Sequence, residues 1–177
     1  MTNWNEVRHF APREFNRNDI DFAPVMSEKF ILGLDELREQ SGHRIMISPN
    51  KHALGRRNTK YKSSQHYFGL EVTELSVADI IPYSRIDGEK CSLSRVEARS
   101  FVELAADIGF TGIGVYPMWH PASGFHIDMR ELPAGRQLAS WAALMEDVPY
   151  EGNIIRKQVY YGIETGLSVW SEIKKGF

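Results

Sequence analysis

Apolar residues recur at helical spacing in two stretches of the chain and at strand-like spacing in several others. Phe30, Leu34 and Leu37 share one face of a helix predicted over 27–40. Ser27 offers an oxygen to its free amides, and Gly42 suits the left-handed residue that ends it. A second helix is predicted over Arg95–Ile108, where Phe101, Leu104, Ala105 and Ile108 form the buried stripe. Ser94 and Glu97 match a capping box at its start, and Gly109 closes it. Ile45-Met46-Ile47 reads as a short strand stopped by Pro49, and strand-like residues return over 72–81. Gly112–Tyr116 and Gly124–Asp128 read as paired strands around a Pro-rich turn.

Between these elements, 50–65 is built of Gly, Asn, Lys, Arg and Ser and reads as a long exposed loop. After Arg130 the character changes: 137–146 reads as helical, and 159–175 as a last helix carrying Tyr160, Tyr161, Leu167 and Trp170. The order helix, strand, long loop, strand, helix, hairpin predicts an α+β fold with a small antiparallel sheet flanked by helices. The expected organisation is one catalytic-type domain over 1–132 and a helical C-terminal extension over 133–177, whose bland reading is a helix packed on the domain.

Composition narrows the function classes. The 177 residues are 42% hydrophobic and 25% charged, the balance of an ordinary globular chain. A formal net charge of −2 argues against a nucleic-acid partner, because phosphate neutralisation needs a basic surface. Arg56, Arg57, Lys60 and Lys62 do cluster, but so short a run reads as a solvated loop. The single cysteine, Cys91, excludes a disulfide framework and a four-thiolate zinc site. No apolar run approaches the ~18 to 20 residues of a membrane span, so no membrane insertion is expected. Met1-Thr2-Asn3-Trp4 does not begin a basic region followed by an apolar one, so the expectation is synthesis in a cytoplasm without a secretory signal.

Six histidines carry the candidate chemistry. His126 alternates with Asp128 and Arg130, and residues two apart on a strand share a face. Three polar groups aimed one way from a half-buried strand are costly unless they pair with each other, with water or with a metal. His66 stands where the long loop meets the next strand. Asp79 lies inside the apolar run Ala78-Asp79-Ile80-Ile81, as a cap, an edge residue or a buried carboxylate held by a cation.

An ordered set of short motifs runs through the chain: Phe10, Pro12, Glu14 and Phe15; Leu34-Asp35-Glu36-Leu37-Arg38-Glu39; Ile45-Met46-Ile47-Ser48; Arg56; Ser64-x-His66; Ala78-Asp79-Ile80; Gly112-x-Gly114-x-Tyr116-Pro117; and His126-x-Asp128. From about residue 10 to 130, this set resembles the zinc D-alanyl-D-alanine carboxypeptidase family, a hedgehog-like zinc fold, in its branch of murein peptidases and phage endolysins. The resemblance implies one Zn²⁺ held by His66, Asp79 and His126 with a fourth position open for water. It implies that Arg56 clamps a substrate carboxylate or carbonyl through forked hydrogen bonds, with Ser64 and Tyr116 as further substrate contacts. Asp128 would act in catalysis by orienting a ligand or the attacking water. The substrate it implies is a peptide bond in the stem or cross-link of peptidoglycan, cleaved in the periplasm or cell wall by a phage lysis or virion-associated protein, with the C-terminal extension as a surface for phage structural proteins.

Two departures stand out. The family's aspartate falls seven residues after the first histidine, where this chain has Thr73. Either the loop is about six residues longer and Asp79 is the ligand, with Glu71 a further polar contributor, or the site has lost its metal and the fold serves as an inactive structural or wall-binding component. The acid that some members carry three residues before the last histidine is Ser123 here, which leaves proton transfer to Asp128, His120, Glu71 or another group.

Overall fold

The computed structural model describes residues 2–17, 20–56, 64–67, 74–170 and 177. In chain order its main elements are β1 (Asn16–Arg17), β2 (Ile20–Asp21), α1 (Glu28–Ser41), β3 (Arg44–Ile47), β4 (Val77–Ile86), β5 (Glu89–Ser92), α2 (Arg95–Ile108), β6 (Gly112–Tyr116), β7 (Gly124–Asp128), β8 (Ala139–Tyr150), β9 (Asn153–Tyr161) and α3 (Ile163–Ser168). β1 and β2 form a small separate hairpin. The other strands make one seven-stranded sheet in the order β3-β4-β7-β6-β8-β9, with β5 also paired to β4. Its strand pairs are antiparallel except β6 with β8, which is parallel. The fold is therefore α+β with a mixed sheet. None of the described helices is long and apolar enough to cross a membrane.

Local sequence explains the two long helices. α2 starts on a full capping box: Ser94 Oγ accepts from the Glu97 amide at 3.3 Å, and the Ser94 amide donates to Glu97 Oε2 at 2.7 Å. α1 follows Ser27 without a side-chain cap bond, and Gly42 ends it in the left-handed region. Phe30, Leu34 and Leu37 of α1 and Phe101 and Ala105 of α2 are buried in one core with a face of the sheet, while Leu104 and Ile108 of the α2 stripe stay half-buried. That face is made by Ala78 and Ile80 on β4, Phe125 and Ile127 on β7, and Ile113 and Val115 on β6, all with 0% exposure. Phe125 stacks on Phe101 of α2 at 5.0 Å and on Trp170 at 4.9 Å.

Several sequence expectations are corrected. The strand expected over 72–81 is β4, which starts at Val77 and runs on to Ile86, while 72–73 lies outside the described residues. The loop expected to be exposed over 50–65 is buried near its start, at Ala53, Leu54 and Gly55, and 57–63, with Arg57, Lys60 and Lys62, lies outside the described residues. The helix expected over 137–146 is the strand β8, and most of the described part of 159–175 is the end of β9 followed by the single short helix α3. Lys174 and Lys175 lie outside the described residues.

Pairing explains the reversal. Ala, Leu, Met and Glu in 139–146 favour a helix intrinsically, but propensity is a weak term that tertiary context overrides. Ala139 to Ala142 find an open edge on β6, and β9 supplies β-branched and aromatic partners on the other side. In place of a helical extension, the C-terminal segment adds two strands to the sheet. Leu167 and Trp170 belong to the same core as Phe30 and Phe101.

Candidate metal centre

The sheet face opposite the helices carries a row of four residues on adjacent strands. Asp79 on β4 pairs with His126 on β7, His126 with Gly114 on β6, and Gly114 with Trp141 on β8. Strand alternation puts Asp128 on that same face, two positions beyond His126. Glycine at 112 and 114 is what lets these groups lie flat on β6. A Cβ at Gly112 would come under 3.0 Å from the Asp128 carboxylate, and one at Gly114 under 3.0 Å from the Trp141 indole.

His66 reaches the row from the loop and is fixed by backbone bonds. The Arg56 amide donates to the His66 carbonyl at 2.7 Å, and the Asp79 amide donates to the Ala53 carbonyl at 2.8 Å. The segment carrying Ala53 and Arg56 is thereby tied to two of the three clustered residues.

Three donor atoms meet there. His66 Nε2 lies 2.9 Å from His126 Nδ1 and 3.1 Å from Asp79 Oδ1, and His126 Nδ1 lies 3.1 Å from the same oxygen. All three residues are buried, at 4%, 9% and 5% exposure. Electron-pair donors this close repel unless a proton or a cation sits among them. Tetrahedral coordination with bonds of about 2.0–2.1 Å sets donor atoms about 3.3 Å apart, so the triangle needs only a few tenths of an ångström of expansion. The buried His66, Asp79 and His126 can therefore hold a metal ion.

A second layer orients them. His126 Nε2 lies 2.8 Å from Asp128 Oδ2, so Nε2–H donates to the Asp128 carboxylate and the Nδ1 lone pair faces the cluster. Asp128 is in turn gripped by Arg130, whose Nε donates to Oδ1 at 2.8 Å and whose terminal nitrogen bonds Oδ2. Burial alone would raise the Asp128 carboxyl, but the hydrogen bonds from Arg130 and His126 outweigh it and hold it down at about 2. Burial likewise pushes Asp79 up, and the bonds from His126 and His66 bring it below its ordinary value. His66 Nδ1 is buried with no hydrogen-bond partner among the described residues.

A cleft of about 550 Å³ opens over the cluster. Arg56, Ser64 and Tyr116 line it together with the three clustered residues. Asp128 does not line it: 1% exposed, it sits behind His126 with both oxygens engaged. His120 is exposed and outside the cleft lining, and the Ser123 hydroxyl is buried and donates to the Pro117 carbonyl at 2.6 Å. Glu71 and Thr73 lie outside the described residues.

The cleft also contains residues that the sequence reading did not single out. His52 lines the rim, its imidazole pushed below the ordinary value by burial and by the charges of Arg56 and Lys51. Trp119 stacks on Tyr116 at 4.1 Å. Trp141 donates from Nε1 to the Tyr116 hydroxyl at 3.2 Å, and the Arg130 guanidinium lies 5.0 Å from its ring centre. Burial pushes the Tyr116 hydroxyl far up, so it keeps its proton at neutral pH. Gln158 and Tyr160 complete the wall from β9. No local signal marked Trp141, because 141–145 is apolar throughout and its alternation onto one face exists only once β8 has formed. Comparison with protein-family models, curated proteins and solved structures gives no match.

Proposed function

We propose that this chain is a zinc-dependent peptidase that hydrolyses peptide bonds in peptidoglycan stems or cross-links, as a phage-associated protein acting on the cell wall. The observation that carries this reading is the buried triangle of His66 Nε2, Asp79 Oδ1 and His126 Nδ1, with sides of 2.9 to 3.1 Å, at the floor of an open cleft. Two imidazoles and one carboxylate form a donor set that suits zinc in a hydrolytic site. When bound, zinc supplies Lewis-acid polarisation of a carbonyl and a lowered pKa for water.

The remaining work falls to the chain. Arg130 and Asp128 hold the His126 ring with Nδ1 forward. Arg56 lines the cleft with a fork suited to a carboxylate or carbonyl oxygen. Tyr116 retains its proton and can donate it in a hydrogen bond to an oxygen that gains charge during the reaction. In the overall step the water oxygen bonds to the carbonyl carbon, the C–N bond breaks, and a water proton ends on the leaving amine.

The test is metal content together with a muropeptide digest. The protein is expected to carry about one zinc per chain and to release peptide fragments from purified peptidoglycan, and His126→Ala should lose both. Stoichiometric zinc without cleavage of any muropeptide would remove the enzyme. A folded protein that takes up no zinc would leave an inactive wall-binding component.

A further inference from the structure

The β8–β9 hairpin supplies a side of the cleft that reaches well away from the metal cluster. Ala143 on β8 pairs with Tyr160, and Met145 with Gln158. Both β8 residues alternate in register with Trp141, so Gln158 and Tyr160 stand on the same sheet face as His126. From β7 through β6 and β8 to β9 there are three strand spacings, about 14 Å across the sheet, and Tyr160 and Gln158 stand two and four residues along the strands from the row of His126, so their backbones lie about 16 Å and about 20 Å from it. An extended peptide advances about 3.3–3.6 Å per residue, so spanning those distances takes about five to six residues.

The β9 end of this wall is uncharged. Gln158 and Tyr160 are neutral and hydrogen-bonding, as is Tyr116, whereas Arg56, His52 and the Arg130 guanidinium over the Trp141 ring supply charge or titratable groups elsewhere in the cleft. Gln158 Nε2 donates to the Tyr160 hydroxyl at 3.0 Å, which links the two outermost groups. Tyr160 is nevertheless 63% exposed, an aromatic ring presented to solvent at the end of a continuous cleft. Aromatic faces with amide and hydroxyl groups beside them suit a run of uncharged peptide groups, while a guanidinium suits a carboxylate.

We propose that the cleft binds an extended oligopeptide across β6, β8 and β9, with about five to six residues on the hairpin side of the metal cluster and with Gln158 and Tyr160 as the distal contacts that read its length. This rests on the peptidase reading for the identity of the peptide, and deepens it to a substrate of defined minimum reach. Short dipeptide-like substrates fill only the part of the cleft over the cluster.

The experiment uses stem and cross-linked peptides shortened one residue at a time from the end away from the scissile bond, and a peptide-free glycan disaccharide. Binding to the metal-free protein is followed by the fluorescence of the cleft residues Trp119 and Trp141, and cleavage by the zinc-loaded protein is measured as kcat/KM. Affinity and kcat/KM are expected to rise about tenfold between arms of two and six residues and then level off. In the double variant Gln158→Ala, Tyr160→Ala, with unchanged Tm and zinc content, that gain should vanish. A gain that persists in the double variant, no length dependence in the parent, or equally tight binding of the disaccharide would overturn the proposal. Length-dependent binding without any cleavage would sink the peptidase reading and leave this one standing. Cleavage without length dependence would do the reverse.

Discussion

Gly112 on β6 faces Asp128 on β7, and the Asp128 carboxylate occupies the space that a side chain at 112 would need. That vacancy allows Asp128 to lie flat, reach His126 Nε2 and receive Arg130 at the same time. Gly112→Ala should therefore act at a distance on the metal cluster. The expected cost is about 1–3 kcal/mol of stability from overpacking, with metal affinity reduced as the histidine loses its support. Urea unfolding and a zinc titration measure the two effects, and unchanged affinity would show that Asp128 does not position His126.

Removing the support without removing its shape separates positioning from ligation. Asp128→Asn should lower zinc affinity about 10- to 100-fold while leaving a site that still fills at high metal concentration. His66→Ala or Asp79→Asn should abolish stoichiometric binding, because each deletes a donor. Equal losses in all three variants would place Asp128 among the ligands.

Trp170 tests whether the C-terminal segment belongs to the domain core. Its ring is 3% exposed and stacked on Phe125, and its Nε1 donates to the Leu93 carbonyl at 2.8 Å. Trp170→Ala should cost about 3–5 kcal/mol in chemical denaturation. A loss within about 0.5 kcal/mol, the range of ordinary surface changes, would mean that this segment packs loosely.

The capping box of α2 carries a pH dependence with a definite sign. The Ser94 hydroxyl is the largest influence on Glu97 and lowers its carboxyl, ahead of the opposing effect of burial. A carboxyl depressed in the folded state stabilises above its unfolded pKa of about 4.3, and that contribution fades as pH falls through the lower folded value. Ser94→Ala should thus cost about 1 kcal/mol at pH 7. The gap between variant and parent should narrow as pH drops below 4. A gap that widens in acid would contradict the assignment.

Some of this protein could be read directly from the chain. α2 was legible to the residue because its apolar stripe and both its caps are local signals. The β6–β7 pair was legible because two short apolar runs flank a Pro-rich turn. The metal candidates His66, Asp79 and His126 were singled out by residue type and by family resemblance, although the spacing of Asp79 departs from the family pattern.

Residue chemistry and local periodicity thus determined the two long helices α1 and α2, the β6–β7 pair and which side chains are able to bind a metal. Only the tertiary structure decided that 139–161 is a hairpin, because its helix-forming residues yield to an open edge on β6 that exists only once the sheet has assembled. It also decided that Asp128 stands behind His126 instead of in the cleft, and that Trp141, Gln158 and Tyr160 form a wall of the site. Those relations join residues far apart in sequence through cross-strand register, and register is fixed by the whole sheet, so no local window of sequence contains it.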